Sequence, residues 1–381
     1  MKTIRRLIYG EVLSAIALVA AGFLALFFFF DLVDELQYLG KSNGLNGAES
    51  IYQIRHALLY VGLLIPNHLY ELLPISVLIG TILVMARLAQ SSEFTILRTS
   101  GLGPWRALKL LLWLGGFFVL ISFAVGDYLA PASERAAQLL KARYQNRITI
   151  GQTGAWLKEK QSYNSYVVNV KELTPNNEMR GVQIFEFDGK GLIVSTTQSP
   201  LAKFAPDESW ELQQATRAEF EVRAGLSTSN PGQESARVSR ALLPIYHWPT
   251  GISAEMVSAA LLKPERMATI DLFSYIRHLD ANGQTAQRYE IEFWKKVFYP
   301  LSCLVMVMLA LPFAYLHFRS GGIAGYVFAG VMIGISFFLL NNVFGYIGNL
   351  RNWQPWLAAA TPGLLYMAVS LGAFAWLVFK R

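Results

Sequence analysis

The sequence predicts an α-helical integral membrane protein with six transmembrane helices and an inserted all-β, jelly-roll-like domain between the third and the fourth. Three features support this fold class: long stretches without charge, few charged residues overall, and a polar central block with alternating apolar residues. Of 381 residues, 53% are hydrophobic and 15% are charged, whereas about 25% charged residues are usual in a globular protein. A water-soluble enzyme and a disordered chain are therefore excluded, and the single cysteine excludes a disulfide scaffold.

The charge-poor stretches are long enough to cross a bilayer, which takes about 20 apolar residues. Between Arg55 and Arg87 the only charged residue is Glu71. The stretches that lack Asp, Glu, Lys and Arg altogether are 12–30, 110–126, 297–318, 320–350 and 352–379. From these stretches we predict membrane spans over 8–30, 57–86, 106–129, 295–316, 323–347 and 355–379.

The spans divide the chain into four segments. Spans one to three occupy 1–130, a β domain occupies 131–268, a connecting helix and linker occupy 269–292, and spans four to six occupy 293–381. The polar block 131–292 holds 18 basic and 18 acidic residues, so the net charge of +7 belongs to the remainder of the chain. The basic excess therefore lies in loops next to the membrane and does not indicate nucleic-acid binding.

The distribution of these positive charges predicts the orientation, because cytoplasmic loops of membrane proteins are enriched in Lys and Arg. With the N-terminus in the cytoplasm, ten basic residues lie on the inside: Lys2, Arg5, Arg6, Arg87, Arg98, Arg106, Lys109, Arg319, Lys380 and Arg381. The outside then holds Lys41, Arg55 and Arg351, with Lys295 and Lys296 at the start of span four. Both termini are expected in the cytoplasm and the polar block in the periplasm of a bacterium.

The polar block has the pattern of β-structure. Apolar residues occupy every second position in Ala218–Arg223, Tyr166–Lys171 and Phe185–Asp188, which is typical of strands with one buried face. Turn-forming residues separate these runs at 175–177, 188–191 and 205–207. Strands at this spacing favour a sandwich or a jelly roll, and a short helix is expected over Ile270–Asp280.

The cytoplasmic loop between spans two and three, residues 91–101, is predicted to contain a short amphipathic helix. Ser91 or Ser92 can begin this helix and Gly101 can end it. The helix could dock a soluble partner or rest on lipid headgroups, and its sequence leaves both interpretations open.

Motifs of catalysis are missing from the sequence. The five histidines are scattered, and neither a zinc-binding pair nor a phosphate-binding loop is present. No catalytic residue, metal ligand or cofactor is therefore expected. Acids inside membrane spans carry a functional hypothesis by default, but for Glu11 and Glu71 an interfacial or structural role is favoured over a proton relay.

Taken together, these segments resemble the LptF/LptG permease family of the lipopolysaccharide exporter, and within it the LptG branch. The resemblance covers nearly the whole chain. Its motifs are Phe30–Leu36, Ser92–Phe94, Arg98–Gly101, Gly154–Lys158, Gly283-Gln284, Arg288-Tyr289 and Phe293–Ser302.

The resemblance implies a permease without enzymatic activity of its own. An LptF-like permease would pair with it around a central cavity, two LptB-like ATPase subunits would bind ATP and magnesium below, and an LptC-like anchor would lie beside span one. Lipopolysaccharide would enter from the outer leaflet, between span one of one permease and span five of the other. The periplasmic domain would connect to an LptA-like bridge.

The resemblance also assigns candidate residues to the ATPase contact. The helix 91–101 would be the coupling helix, in which Glu93 pairs with a basic group of the ATPase while Phe94 and Leu97 supply an apolar anchor. The remaining residues of this predicted site are Arg98, Ser100 and Gly101.

The predicted substrate contacts depart from the family pattern in one respect. Family members place lysines at the outer end of span one, where this chain has Asp31, Gln37 and Tyr38. The candidates for contacting lipid phosphates are Lys41, Arg55, Lys295, Lys296 and Arg351. The candidates for contacting acyl chains are Phe27 to Phe30, Phe328, Met332, Phe337 and Phe338. Each of these residues could instead face membrane lipid or the interface.

Three alternatives remain at this point. The chain could be the LptF-type partner of the same exporter, or a permease whose periplasmic domain moves on ATP hydrolysis without carrying lipid. It could also be a membrane enzyme acting on lipid-linked glycans, although no convergent set of acids or histidines supports that.

Overall fold

The computed structural model describes residues 2–40, 52–91, 93, 96, 99, 101, 103–145, 154–161, 163–174, 178–205, 209–223, 235–261, 264–315 and 323–379. The chain divides into two compact units. A helical unit is formed by Met1–Leu39, Ile54–Ala137 and Gln287–Arg381, and a mostly β unit by Gly40–Gln53 and Gln138–Ala286.

The helical unit contains the six predicted spans. Its helices are α1 (Lys2–Leu36), α2 (Ile54–Gln90), α3 (Pro104–Ala124), the first part of α4 (Ala130–Gln145), α7 (Gln287–Phe298), α8 (Ser302–Ala310), α9 (Ile323–Leu350) and α10 (Pro355–Phe379). Span three continues from α3 into α4 through a π-helical turn, and span four joins α7 to α8 through a 3-10 turn. Six stretches are long and apolar enough to cross a membrane, which confirms the predicted number.

Helix α2 lies at the centre of this unit. In the most apolar part of each span, 78% of the α2 residues are buried, compared with 22% for α1 and 17% for α9. Buried residues of α1, α2, α3 and α8 form a shared core that includes Ile16, Val77, Leu111 and Cys303. The outer faces of α1 and α9 are therefore not covered by the described part of the chain.

The β unit contains one antiparallel sheet. Its strands are β1 (Ala155–Lys160), β2 (Ser165–Leu173), β3 (Glu178–Phe187), β4 (Ile193–Ala205), β5 (Ser209–Arg223) and β6 (Ser235–Pro249). They pair in sequence order. The inserted all-β domain is thus confirmed, and its described strands have the connectivity of a meander in place of the interleaved pairing of a jelly roll.

Two short helices follow the last strand, and the first of them contacts β1 and β2. Helices α5 (Ala254–Leu261) and α6 (Thr269–Ala281) follow β6, and α6 confirms the helix predicted over 270–280. Buried α6 residues recur at helical spacing, namely Leu272, Tyr275, Ile276 and Leu279. Asn282, at the end of α6, accepts a hydrogen bond of 2.6 Å from the backbone N–H of Lys160 on the edge strand β1.

Candidate functional site

The segment after α2 carries the predicted coupling helix. Its described residues Glu93, Ile96 and Thr99 have helical backbone and are exposed. The Thr99 hydroxyl donates to the Ile96 carbonyl over 2.9 Å. Phe94, Leu97, Arg98 and Ser100 lie outside the described residues.

Gly101 ends this segment with a φ of +99°, a left-handed conformation that favours glycine after a helix. The Arg106 guanidinium donates to the Gly101 carbonyl over 2.9 Å, which ties the segment to the start of α3. Glu93 and Ile96 are three residues apart, so a carboxylate and an apolar side chain lie on one exposed helical face. This pairing suits a contact with a protein that offers a cation beside an apolar pocket.

Helices α1 and α2 are held together at both ends and in the middle. Glu11 pairs with Arg87 over 2.7 Å near one end, and Asp31 pairs with His68 over 2.7 Å near the other. Along α1, Glu11 and Asp31 are about 30 Å apart at roughly 1.5 Å per residue. The Glu11–Arg87 ion pair and the Asp31–His68 hydrogen bond therefore bracket a length close to the thickness of a bilayer.

Between these two contacts, α1 and α2 approach closely at one glycine. A Cβ atom placed on Gly80 would lie 2.6 Å from the Ile16 Cγ1 and 2.7 Å from its backbone N and Cα. No side chain larger than hydrogen fits there, so the contact depends on glycine. Helices α1 and α2 thus form a single packed pair.

Helix α9 packs on another face of α2 through two glycines one turn apart. A Cβ on Gly330 would lie 3.0 Å from Ile82, and a Cβ on Gly334 would lie 2.8 Å from Ile75. This is the small-xxx-small spacing with which membrane helices bring their backbones close together. The glycines face α2, whereas Phe328, Met332 and Leu339 of α9 are exposed.

Five of the eight acyl-chain candidates are exposed. They are Phe29 and Phe30 on α1 and Phe328, Met332 and Phe338 on α9. Phe27 is half-buried, with its ring centroid 4.9 Å from that of His68. Phe337 is only 3% exposed and lies between the rings of Tyr299 and Tyr366, so it contributes to the bundle core.

The structure separates the basic candidates into two groups. Arg55 and Arg351 are exposed at helix ends, and Lys41 lies outside the described residues. Lys295 pairs with Glu292 over 2.7 Å, and the two side chains are only 15% and 14% exposed. Lys296 donates to the Gly126 carbonyl over 3.3 Å and lies 5.8 Å from the centre of the Tyr70 ring.

The residues around Lys295 and Lys296 form a polar layer that sequence reasoning missed. The Tyr299 hydroxyl donates to the Glu71 carbonyl over 2.5 Å, and the rings of Tyr70 and Tyr299 are 5.1 Å apart. Glu292 precedes Lys295 by three residues, a spacing that places both on one helix face. That spacing was the only sequence signal for this layer.

Two acids of the spans have clear structural partners. Glu11 is paired with Arg87, and the Glu71 side chain is exposed and accepts a hydrogen bond of 3.1 Å from Asn67. Both arrangements agree with the structural role favoured from the sequence.

A buried carboxylate in the β unit links four strands. Glu186 on β3 accepts hydrogen bonds from Ser195 (2.6 Å), Asn164 (2.8 Å), Tyr166 (3.1 Å) and Arg217 (3.2 Å). Burial raises the pKa of Glu186, but the hydrogen bonds and the charge of Arg217 outweigh it, so the pKa is lowered from its usual 4.5. Such a network fixes the register of β2 to β5.

We expect Glu186→Gln to loosen this sheet. Hydrogen bonds to a charged group contribute about 2 kcal/mol in total at such sites, so hydrogen exchange of the β3 and β4 amides should accelerate about thirtyfold at pH 7. Because the folded pKa is lowered, the contribution is present above the unfolded pKa of 4.5 and is lost as pH falls through the folded value. The difference between wild type and variant should therefore shrink in acid.

The matched control for this prediction is Glu219→Gln. Glu219 also pairs with Arg217, over 3.0 Å, but its side chain is 52% exposed. Exposed ion pairs contribute little, so exchange in β3 and β4 should hardly change. Equal acceleration of hydrogen exchange in both variants would show that Glu186 stabilises the sheet no more than the exposed Glu219 does.

The fold and the open helix faces define a polytopic membrane protein with a large extramembrane β domain. Over residues 6–377 the sequence matches the family described as lipopolysaccharide export system permease LptF/LptG. The chain belongs to this family, as its motifs predicted. Six spans and this family together point to a protein of the inner membrane.

Two characterised relatives cover almost the full chain. The lipopolysaccharide export system permease protein LptG of Escherichia coli (strain K12) is 26% identical over 354 residues, which is 92% of this chain and 90% of that protein. LptG of Haemophilus influenzae is 23% identical over 372 residues, or 97% of each chain. Both relatives bear the name LptG, and both are named permease proteins.

Proposed function

We propose that this protein is an LptG-like permease subunit of an ATP-driven exporter, which extracts lipopolysaccharide from the outer leaflet of the inner membrane and passes it to a periplasmic bridge. The observation that carries the proposal is the family match over residues 6–377. Both relatives, by name, belong to lipopolysaccharide export systems and align with this chain from end to end.

The open faces of α1 and α9 support a paired arrangement. These are the two least buried spans, with 22% and 17% of their apolar windows buried, and exposed residues such as Phe30 and Phe328 line them. Large exposed apolar faces mark contacts with other proteins or with lipid. We propose that an LptF-like permease faces them and that lipopolysaccharide enters between α1 of one subunit and α9 of the other.

The segment 91–101, whose described residues Glu93, Ile96 and Thr99 are exposed, is the proposed contact with an LptB-like ATPase dimer. Glu93 would pair with a basic group of the ATPase, and Ile96 would add apolar contact beside the predicted anchors Phe94 and Leu97. The anchoring of this segment through Arg106 and Gly101 would transmit motion of the ATPase to α3. ATP and magnesium would be bound by the ATPase and not by this chain.

The basic candidates take two different proposed roles. Arg55 and Arg351 are exposed, so their guanidinium groups are available to lipid A phosphates. Lys295 is paired with Glu292 inside the bundle, and separating such a pair leaves an unpaired buried charge. We therefore assign Lys295 and Lys296 to the support of the bundle.

The positive-inside distribution supports an orientation with both termini in the cytoplasm and the β unit in the periplasm. There the sheet would connect to an LptA-like bridge, and an LptC-like anchor would lie beside α1. β1 and β6 are the edge strands of the described β sheet, and edge strands can pair with added strands of a partner.

Purification of the tagged full chain from mild detergent tests the proposal. We expect an ATP-binding subunit, a second six-span protein and lipopolysaccharide to co-elute, each identified by mass spectrometry. Recovery of the ATPase without lipopolysaccharide would favour a permease that moves its periplasmic domain without carrying lipid. Recovery of neither would contradict the proposal.

A further inference from the structure

A groove opens between α1 and α3 near the ends at which both helices begin. It is lined by Arg5, Tyr9, Leu13, Trp113, Leu114 and Phe117, and its volume is about 400 Å³. The Tyr9 hydroxyl donates to the Leu110 carbonyl over 3.0 Å, which holds the two helices in register along one wall. The volume lies within the range of roughly 300–1,000 Å³ seen for small-molecule sites.

The two walls of the groove repeat one chemical order. On α1, Arg5, Tyr9 and Leu13 follow one another at intervals of four residues, which places them on one helix face. On α3, the same spacing of four residues separates Lys109, Trp113 and Phe117. Arg5 lines the groove itself, whereas Lys109 lies outside the lining, one turn before the lining residue Trp113 on the same helix face. Along both helices the order is therefore a cation, then an amphipathic ring, and then an apolar side chain.

Arg5 in the groove and Lys109 beside it have no carboxylate partner in the part of the chain that the structure describes. Arg5 is exposed and lies 5.7 Å from the Tyr9 ring, and Lys109 is exposed as well. Glu11, the nearest acid along α1, is already paired with Arg87 over 2.7 Å. The mouth of the groove is therefore positive and its depth is apolar, with Trp113 and Phe117 exposed toward it.

We propose that this groove binds an anionic glycerophospholipid, with one acyl chain against Leu13, Trp113 and Phe117 and the phosphate between Arg5 and Lys109. Basic pockets between membrane helices on the cytoplasmic side suit anionic headgroups, and tryptophan is favoured at the interface. A transmembrane helix, about 10–12 Å wide and about 30 Å long, is far larger than the groove. Only the assignment to the cytoplasmic leaflet rests on the proposed function.

The test is native mass spectrometry of the full chain, with its co-purifying subunits, during titration with phosphatidylglycerol and with phosphatidylethanolamine. Wild type should bind phosphatidylglycerol more tightly. The double variant Arg5→Gln/Lys109→Gln should weaken phosphatidylglycerol about thirtyfold, since each basic residue near the surface contributes about fivefold. Binding of phosphatidylethanolamine should change little.

Three further variants keep the proposal open to refutation. Arg6→Gln removes the same charge one residue away from the groove-lining Arg5 and should leave phosphatidylglycerol affinity within about twofold of wild type. Arg5→Lys should also retain the wild-type affinity for phosphatidylglycerol, because lysine keeps the positive charge. Trp113→Ala should weaken both lipids, because it removes packing with the acyl chain.

The outcomes separate this proposal from the export function. A photoreactive residue in the variant Trp113→p-benzoylphenylalanine should crosslink phosphatidylglycerol. Equal affinity of wild type for the two lipids, or an equal loss in Arg6→Gln, would show ordinary boundary lipid and overturn the proposal. A crosslink to a protein or to lipopolysaccharide would overturn it as well, whereas loss of co-eluting lipopolysaccharide alone would bear only on export.

Discussion

Replacing Gly80 by alanine should separate α1 from α2. The added Cβ would lie within 2.7 Å of the Ile16 backbone, and backbone atoms in a helix cannot move aside as a flexible side chain can. Overpacking a core typically costs about 1–3 kcal/mol, and we expect the upper end of that range. The measurement is thermal unfolding of the purified protein followed with a thiol-reactive dye, because the single cysteine, Cys303, is buried in the same core as Ile16.

Gly62→Ala is the matched control for this experiment. It makes the same change on the same helix, but nothing lies within 4 Å of its added Cβ. Alanine favours a helix over glycine by about 0.8–1 kcal/mol, so Gly62→Ala should leave the unfolding temperature unchanged or raise it. If Gly80→Ala behaves in the same way, α1 and α2 do not pack as described.

Reversal of the charge at Glu93 should uncouple the permease from its ATPase. Under the proposed function, Glu93→Lys places a cation against a basic group of the ATPase, and like charges at an interface cost several kcal/mol. We expect recovery of the ATPase subunit with the tagged chain to fall at least tenfold, with a parallel loss of lipopolysaccharide export. Glu93 is exposed, so the chain itself should still insert and fold.

Glu93→Asp keeps the negative charge and serves as the control. It should retain most ATPase recovery, since only the length of the side chain changes. Full export and normal ATPase recovery in Glu93→Lys would reject this segment as the coupling contact. A loss of the protein from the membrane would instead show a folding defect, which the thiol-dye measurement identifies independently.

Much of the architecture could be predicted because its signals are local. A bilayer requires long apolar stretches, so the positions of the six spans are set by composition. In the β unit, alternation at Tyr166–Lys171 and Ala218–Arg223 predicted parts of β2 and β5. The helix over 270–280 followed from its own periodicity and was likewise confirmed.

Less of the candidate site than of the architecture could be predicted from the sequence. Lys295 and Lys296 stood out as cations near the outer end of a span, but the fold places them among Glu292, Tyr70 and the Gly126 carbonyl. Phe337 and Phe338 are adjacent and alike in type, yet Phe337 is buried and Phe338 is exposed. Inside a membrane both environments are apolar, so hydrophobicity does not distinguish a helix face turned to lipid from one turned to protein.

The sequence by itself determined that this protein is a six-span permease of the lipopolysaccharide export family with a β domain between spans three and four. Only the tertiary structure decided which faces of α1 and α9 stay open, that the described strands form a meander, and that α1 is fixed to α2 through Gly80, the Glu11–Arg87 ion pair and the Asp31–His68 hydrogen bond. Span formation depends on transfer of a local segment into lipid. Helix packing and strand pairing depend on contacts between residues far apart in the chain.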